Sequence, residues 1–172
     1  MNKTISDILT RRSIRKFKPE QITREELDIV LEAGKSAPTA RNFQSPIIVA
    51  VQNKEDIAYI TKLNAAVMGS TADTFYGAPT VIVVFADRGL TTHVEDGSLV
   101  LGNLMNAAAG LGLGSCWINR AKEVFEMPEA RKIARKAGIG DEYIGIGNCI
   151  LGYVDGELPE AKQPREGRVF HI

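Results

Sequence analysis

The sequence has few of the residues that carry chemistry unaided. Only two cysteines and two histidines occur among its 172 residues. Cys116 and Cys149 each sit in an apolar run, far from a second metal-type ligand, and no C-x-x-C exists. A zinc site therefore finds no ligand set, and buried free thiols of a reducing cytosol are expected. Neither the phosphate-binding G-x-x-x-x-G-K-[ST] nor the hydrolase elbow G-x-S-x-G is present, and His93 and His171 are poor candidates for a triad base. No run approaches the roughly 18 apolar residues of a membrane span. The opening MNKTISDILT lacks the apolar stretch and cleavage site of a secretory signal. Net charge is zero, whereas nucleic-acid binders usually present a net positive face. These absences predict a cytoplasmic protein with neither a membrane nor a nucleic-acid partner. A chain without nucleophile, metal or acid–base set often borrows its chemistry from an organic cofactor.

What is present suits a globular fold. Hydrophobic residues make up 44% and charged residues 24%, close to ordinary averages. The length fits one domain over 1–172, and no repeat or linker divides it. Residues 3–11 read as a short helix with Ile5, Ile8 and Leu9 on one face. Thr23 and Glu26 form a capping box ahead of a helix striped by Leu27, Val30 and Leu31, with Gly34 as its expected stop. Ile47 to Val51 reads as a strand. Asn53 and Asp56 can cap a helix carrying Ile57, Ile60, Leu63 and Val67. Thr80 to Phe85 is a continuous β-branched run, suited to a strand covered on both faces. Residues 95–112 form the longest helical pattern, apolar nearly all round, and burial against a second copy of the chain would satisfy it. Strands at 114–118 and 143–153 flank a helix opened by Pro128 and stopped at Gly138. Helices and strands do not alternate strictly. An α+β fold follows, with a central mixed, mainly antiparallel sheet sandwiched by helices.

Gly110, Gly112 and Gly114 suggest a dinucleotide fingerprint, but they follow a helix and precede a strand, the reverse of its order. The informative segment is Thr10-Arg11-Arg12-Ser13-Ile14-Arg15-Lys16-Phe17. If 13–17 is extended, Ser13 and Arg15 point the same way and Arg11 can join them. Guanidinium groups with a hydroxyl match the oxygens of a phosphate. The alternative is solvated surface charge.

R-R-S-x-R-x-F after one short helix resembles the opening motif of FMN-dependent nitroreductases. Further segments are similar in register: Ala37-Pro38-Thr39-Ala40-Arg41-Asn42-Phe43-Gln44, Tyr76-Gly77-Ala78-Pro79 with the strand after it, Asp96 through Ile118, and Lys162-Gln163-Pro164-Arg165. Gln44-Ser45-Pro46 stands where the family usually has Q-P-W, so a different loop shape is expected there. The 64–120 stretch is also short beside larger members, so pocket shape does not transfer.

The resemblance implies an interlocked homodimer with FMN at its interface, reduced by NADH or NADPH and reoxidised by a nitroaromatic, quinone or similar small acceptor. It implies that Arg11, Ser13 and Arg165 hold the phosphate, aided by the Arg12 backbone and by Lys162. Arg15 would lie near the N1–C2=O edge of the ring. Pro38, Thr39 and Asn42 would reach the flavin from the partner subunit. Asn64 would read the pyrimidine edge or else be an exposed helix residue. Ile118 and Asn119, followed by Arg120, would flank the ring and offer a backbone N–H near N5. No protein residue is assigned as catalytic. A flavin-binding sensor or storage protein, or a different reduction such as dehalogenation, remain alternatives.

Overall fold

The computed structural model describes residues 2–161 and 163–172. Helix α1 spans Lys3–Thr10 and α2 Arg24–Lys35. Strand β1 is Ile47–Val51 and α3 is Lys54–Val67. Then come β2 at Thr80–Asp87, α4 at His93–Gly110 and β3 at Gly114–Ile118. Helices α5 (Ala121–Glu126) and α6 (Pro128–Lys136) lead to β4 at Tyr143–Gly152. The strands form one sheet in the order β1-β2-β4-β3, and every neighbouring pair is antiparallel. Among the described residues, parallel pairing is confined to an isolated bridge between Ser13 and Ser115.

Side-chain alternation along β2 explains why its sequence is apolar throughout. Val81, Val83 and Phe85 join a core beneath α3, α5 and α6, while Ile82 and Val84 join a second core beneath α2 and α4. The expected helical sandwich is thus present, with a buried layer on each face. Cys116 falls in one layer and Cys149 in the other, and both are free. Burial first, then the neighbouring Cys116, pushes the Cys149 thiol up to about 12, so it is inert at neutral pH. No described helix is long and apolar enough to cross a membrane.

The capping box forms as expected: the Glu26 amide donates to Thr23 Oγ1 and the Thr23 amide to Glu26 Oε2. Tyr153, just past β4, donates its hydroxyl to the same carboxylate at 2.7 Å. Two expectations need correction, and one helix was not expected. Gly34 lies inside α2 rather than ending it, because a Cβ there would sit 2.7 Å from Leu104 and 2.9 Å from Ile48; it is a packing glycine. Helix α4 starts at His93, two residues before the apolar pattern suggests. Helix α5 has no sequence signal: it is six residues long and has no side-chain cap.

Candidate functional site

Strand β3 is the spine of the site. The extended segment after α1 runs beside its first residues, with the Ile14 amide donating to the Ser115 carbonyl at 2.9 Å. Ile14 is buried, and a Cβ on Gly114 would meet it at 2.9 Å, so the glycine permits this close approach. With Ile14 pointing inward, Ser13 and Arg15 project to the other side. The Arg15 guanidinium lies 5.9 Å from the centre of the Tyr76 ring. Arg12 turns back onto the end of α1, donating to the carbonyls of Leu9 and Arg11.

Two buried polar atoms at this end lack a partner among the described residues: Arg11 Nη1 and Ser115 Oγ. An unpaired buried guanidinium nitrogen is costly unless an anion completes it. Ser13, half-buried, pairs with Ser115 at the same place. Ser13 is thus seated beside Ser115, which the motif did not single out, at the head of β3, with Arg11 two residues before it in the chain.

At the far end of β3 lie Ile118, buried, and Asn119, exposed. Asn64 is fully buried, not an exposed helix residue, and its Nδ2 donates to the Asn119 carbonyl at 2.8 Å. Asn148 on β4 is equally buried, and its Nδ2 reaches the carbonyls of Ile118 at 3.1 Å and Asn119 at 3.4 Å. The chain then turns through Arg120 at φ +74° into α5. From Ser115 to Asn119 is four residues, about 13 Å of strand.

Pro38, Thr39 and Asn42 lie elsewhere, in the loop ahead of β1. Because β1 and β3 are opposite edges of the sheet, three strand spacings or about 14 Å separate them. Arg41, Asn42 and Gln44 all have positive φ (50°, 57° and 52°). The loop is held by Gln44 N to Thr39 Oγ1 at 3.0 Å and Ala40 N to Asp96 Oδ1 at 3.0 Å. Asp96, at the start of α4, is only 3% exposed and also accepts from Thr92 Oγ1. Ser45 Oγ accepts the Asp87 amide at 3.0 Å. Arg165 is exposed in the C-terminal tail, and no hydrogen bond joins it to Ser13 among the described residues. Lys162 lies outside the described residues.

Away from all these groups, a cavity of about 780 Å³ opens between α3 and the 70–79 loop, lined in part by Gln21, Gln52, Thr61, Lys62 and Phe75. None of the expected site residues among the described ones lines it. No group of three or more His, Cys, Asp or Glu side chains suited to a metal occurs among the described residues.

The nitroreductase family model matches residues 8–73 and 67–153. This chain belongs to the nitroreductase family. A protein of Archaeoglobus fulgidus whose provisional name is NADH dehydrogenase/NAD(P)H nitroreductase is 31% identical, over 89% of this chain and 86% of its own. The NADPH-flavin oxidoreductase of Vibrio harveyi is 28% identical, over 94% of this chain and 70% of its own. Among solved structures, an FMN-bound nitroreductase from Bacteroides fragilis aligns over the full length of both chains, with a TM-score of 0.92 and 26% identity. Within this nitroreductase-family chain, the residues missed in the sequence are Ser115, Asn148 and Asp96. Only Ser115, at the end of the glycine-rich turn, stood beside a visible signal.

Proposed function

We propose that this chain is a flavoenzyme that binds FMN along β3 and uses it to pass a hydride from NADH or NADPH to a small acceptor such as a nitroaromatic or quinone. The carrying observation is the buried Arg11 nitrogen without an acceptor, beside Ser13 and Ser115, with the Asn119–Arg120 corner about 13 Å further along the strand. That spacing suits a group with a phosphate at one end and a flat ring at the other. Arg11 and Ser13 would hold the phosphate, with the Arg12 backbone beside them. Arg15 would place positive charge at the ring edge, and Ile118 and Asn119 would line its face. The names of relatives support the reading: an NADPH-flavin oxidoreductase and an FMN-bound nitroreductase. FMN supplies two-electron hydride exchange, while the protein binds, orients and excludes water. Donor and acceptor would use one face in turn, which is a ping-pong scheme.

The working unit we infer is an interlocked homodimer in which residues 1–172 act as one domain. Ile5, Ile8 and Leu9 of α1, Phe43, Val94 and Leu99 are exposed apolar groups that a lone chain leaves in water. Among the described residues, edge strand β1 has one side unpaired, and Val169, Phe170 and Ile172 in the tail are exposed as well. Pro38, Thr39 and Asn42 sit at the sheet edge opposite β3, so they would complete the partner's site. Arg165 would return from the tail to the phosphate. Two buried free thiols suit a reducing cytoplasm.

Purified protein should show flavin absorbance that bleaches with anaerobic NAD(P)H and returns with an acceptor. Colourless protein that takes up no FMN would refute the reading, and bound flavin untouched by either nucleotide would leave a binding protein without turnover. Arg11→Ala should weaken FMN binding by about 10- to 100-fold, the worth of a charged hydrogen bond, in a fluorescence titration. Light scattering should give twice the chain mass.

A further inference from the structure

Asn64 and Asn148 are both fully buried, yet each leaves its Oδ1 without a partner. An unsatisfied buried acceptor is destabilising, and here two occur within one small cluster. Both amides spend their donors on the backbone at 118–119, and they share the Asn119 carbonyl. That carbonyl belongs to the peptide joining Asn119 to Arg120. That peptide is trans, since no cis peptide occurs among the described residues, so the Arg120 N–H points opposite to the carbonyl, away from the core. The Arg120 N–H finds no backbone or side-chain acceptor among the described residues.

We infer that Asn64 and Asn148 form a clamp that fixes the orientation of the 119–120 peptide, so that the site presents a donor, and never an acceptor, to the ring nitrogen of a bound flavin. This rests on the proposed function, and it assigns Asn64 a positioning role through Asn119 in place of direct contact. The chemistry has a direction. Oxidised flavin accepts a hydrogen bond at N5; reduced flavin carries a hydrogen there and needs an acceptor. A peptide free to rotate could offer its carbonyl to the reduced ring. A clamped one cannot, so the clamp favours the oxidised cofactor and keeps the reduced form eager to give up its hydride.

Asn64→Leu and Asn148→Leu remove the amides while nearly preserving shape. Each variant, loaded with FMN, is compared with the wild type by dye-coupled potentiometry. The expected result is FMN binding within tenfold of wild type and an equilibrium about tenfold further toward the reduced flavin, a rise of about 30 mV for a two-electron couple. Variants that bind FMN at the wild-type potential, or below it, overturn the clamp and leave the proposed function standing. A wild type that binds no FMN overturns both. Should the variants not fold, amide exchange on the wild type decides: the side-chain amides of Asn64 and Asn148 should be protected, and the Arg120 N–H should exchange freely until FMN is added. An Arg120 N–H already protected without FMN overturns the clamp.

Discussion

Two of the turns that hold non-glycine residues at positive φ, one at the end of β3 and one ahead of β1, are braced in opposite ways; Tyr76 marks a third. At the end of β3, Arg120 turns beneath a peptide tied to two buried asparagines on separate elements. Ahead of β1, Arg41, Asn42 and Gln44 turn on exposed hydrogen bonds, with Asp96 as the one buried anchor. A left-handed conformation costs a non-glycine residue roughly 1–2 kcal/mol, and such costs persist where the surroundings over-determine the backbone. The first turn meets that condition within a single chain. The second meets it only in part, which fits the proposal that a second copy of the chain completes this loop's surroundings.

The largest expected effect tests the rigid turn. Gly145 of β4 packs against the start of α5, where a Cβ would clash with the Ala121 carbonyl oxygen. Backbone cannot yield as a flexible side chain does, so Gly145→Ala should cost about 3 kcal/mol in denaturant unfolding. Unchanged stability would show that the corner is softer than its packing implies. Next, Asp96→Ala leaves the Ala40 amide without its acceptor and should cost about 2 kcal/mol. Faster amide exchange should then be confined to residues 39–44. Loss of protection at Asn64 and Asn148 in that variant would mean that the two turns are coupled, and the contrast between them would fail.

The start of α2 braces neither turn and serves as the control. Thr23→Ala removes the cap and should lower stability by about 1 kcal/mol without altering flavin affinity. The smallest effect is a pH dependence. The Glu26 carboxyl is held below its ordinary value of 4.5, first by the Tyr153 hydroxyl and then by the Thr23 amide. A carboxyl lowered by folding stabilises the fold above its ordinary value and loses that contribution as pH falls through the lowered one. The difference in Tm between wild type and Glu26→Gln should therefore be constant near neutrality and shrink below about pH 4.5. A gap that widened on acidification would contradict the hydrogen-bonded carboxylate.

Much of the architecture was legible from local patterns. The β-branched run at 80–85, the Thr23–Glu26 box, the Asn53 cap and Pro128 at a helix start each act within a few residues, so their meaning survives without tertiary context. Gly34 was misread because a glycine near a helix end signals termination locally, while its actual role depends on Leu104 and Ile48, distant in sequence. Helix α5 was invisible because six residues are too few to display a period, and packing rather than propensity holds it. At the site, the arginine–serine motif stood out as a basic cluster, and the fold seats Ser13 beside Ser115 with Arg11 two residues before it, as the proposed anion cradle requires. Nothing local marked Asn148, which stands in a strand among apolar residues and glycines.

The sequence by itself determined the strands, all but the shortest helix and the basic segment from Arg11 to Arg15, because each follows from residue type and short-range spacing. Tertiary structure alone decided which face of the sheet each strand residue joins, which glycines must stay glycine and how the end of β3 is held. Asn64 precedes Asn119 by 55 residues and Asn148 follows it by 29. A shared hydrogen-bond acceptor across such separations exists only once the sheet and its helices have packed, since burial and direction are properties of the assembled fold and not of any one segment.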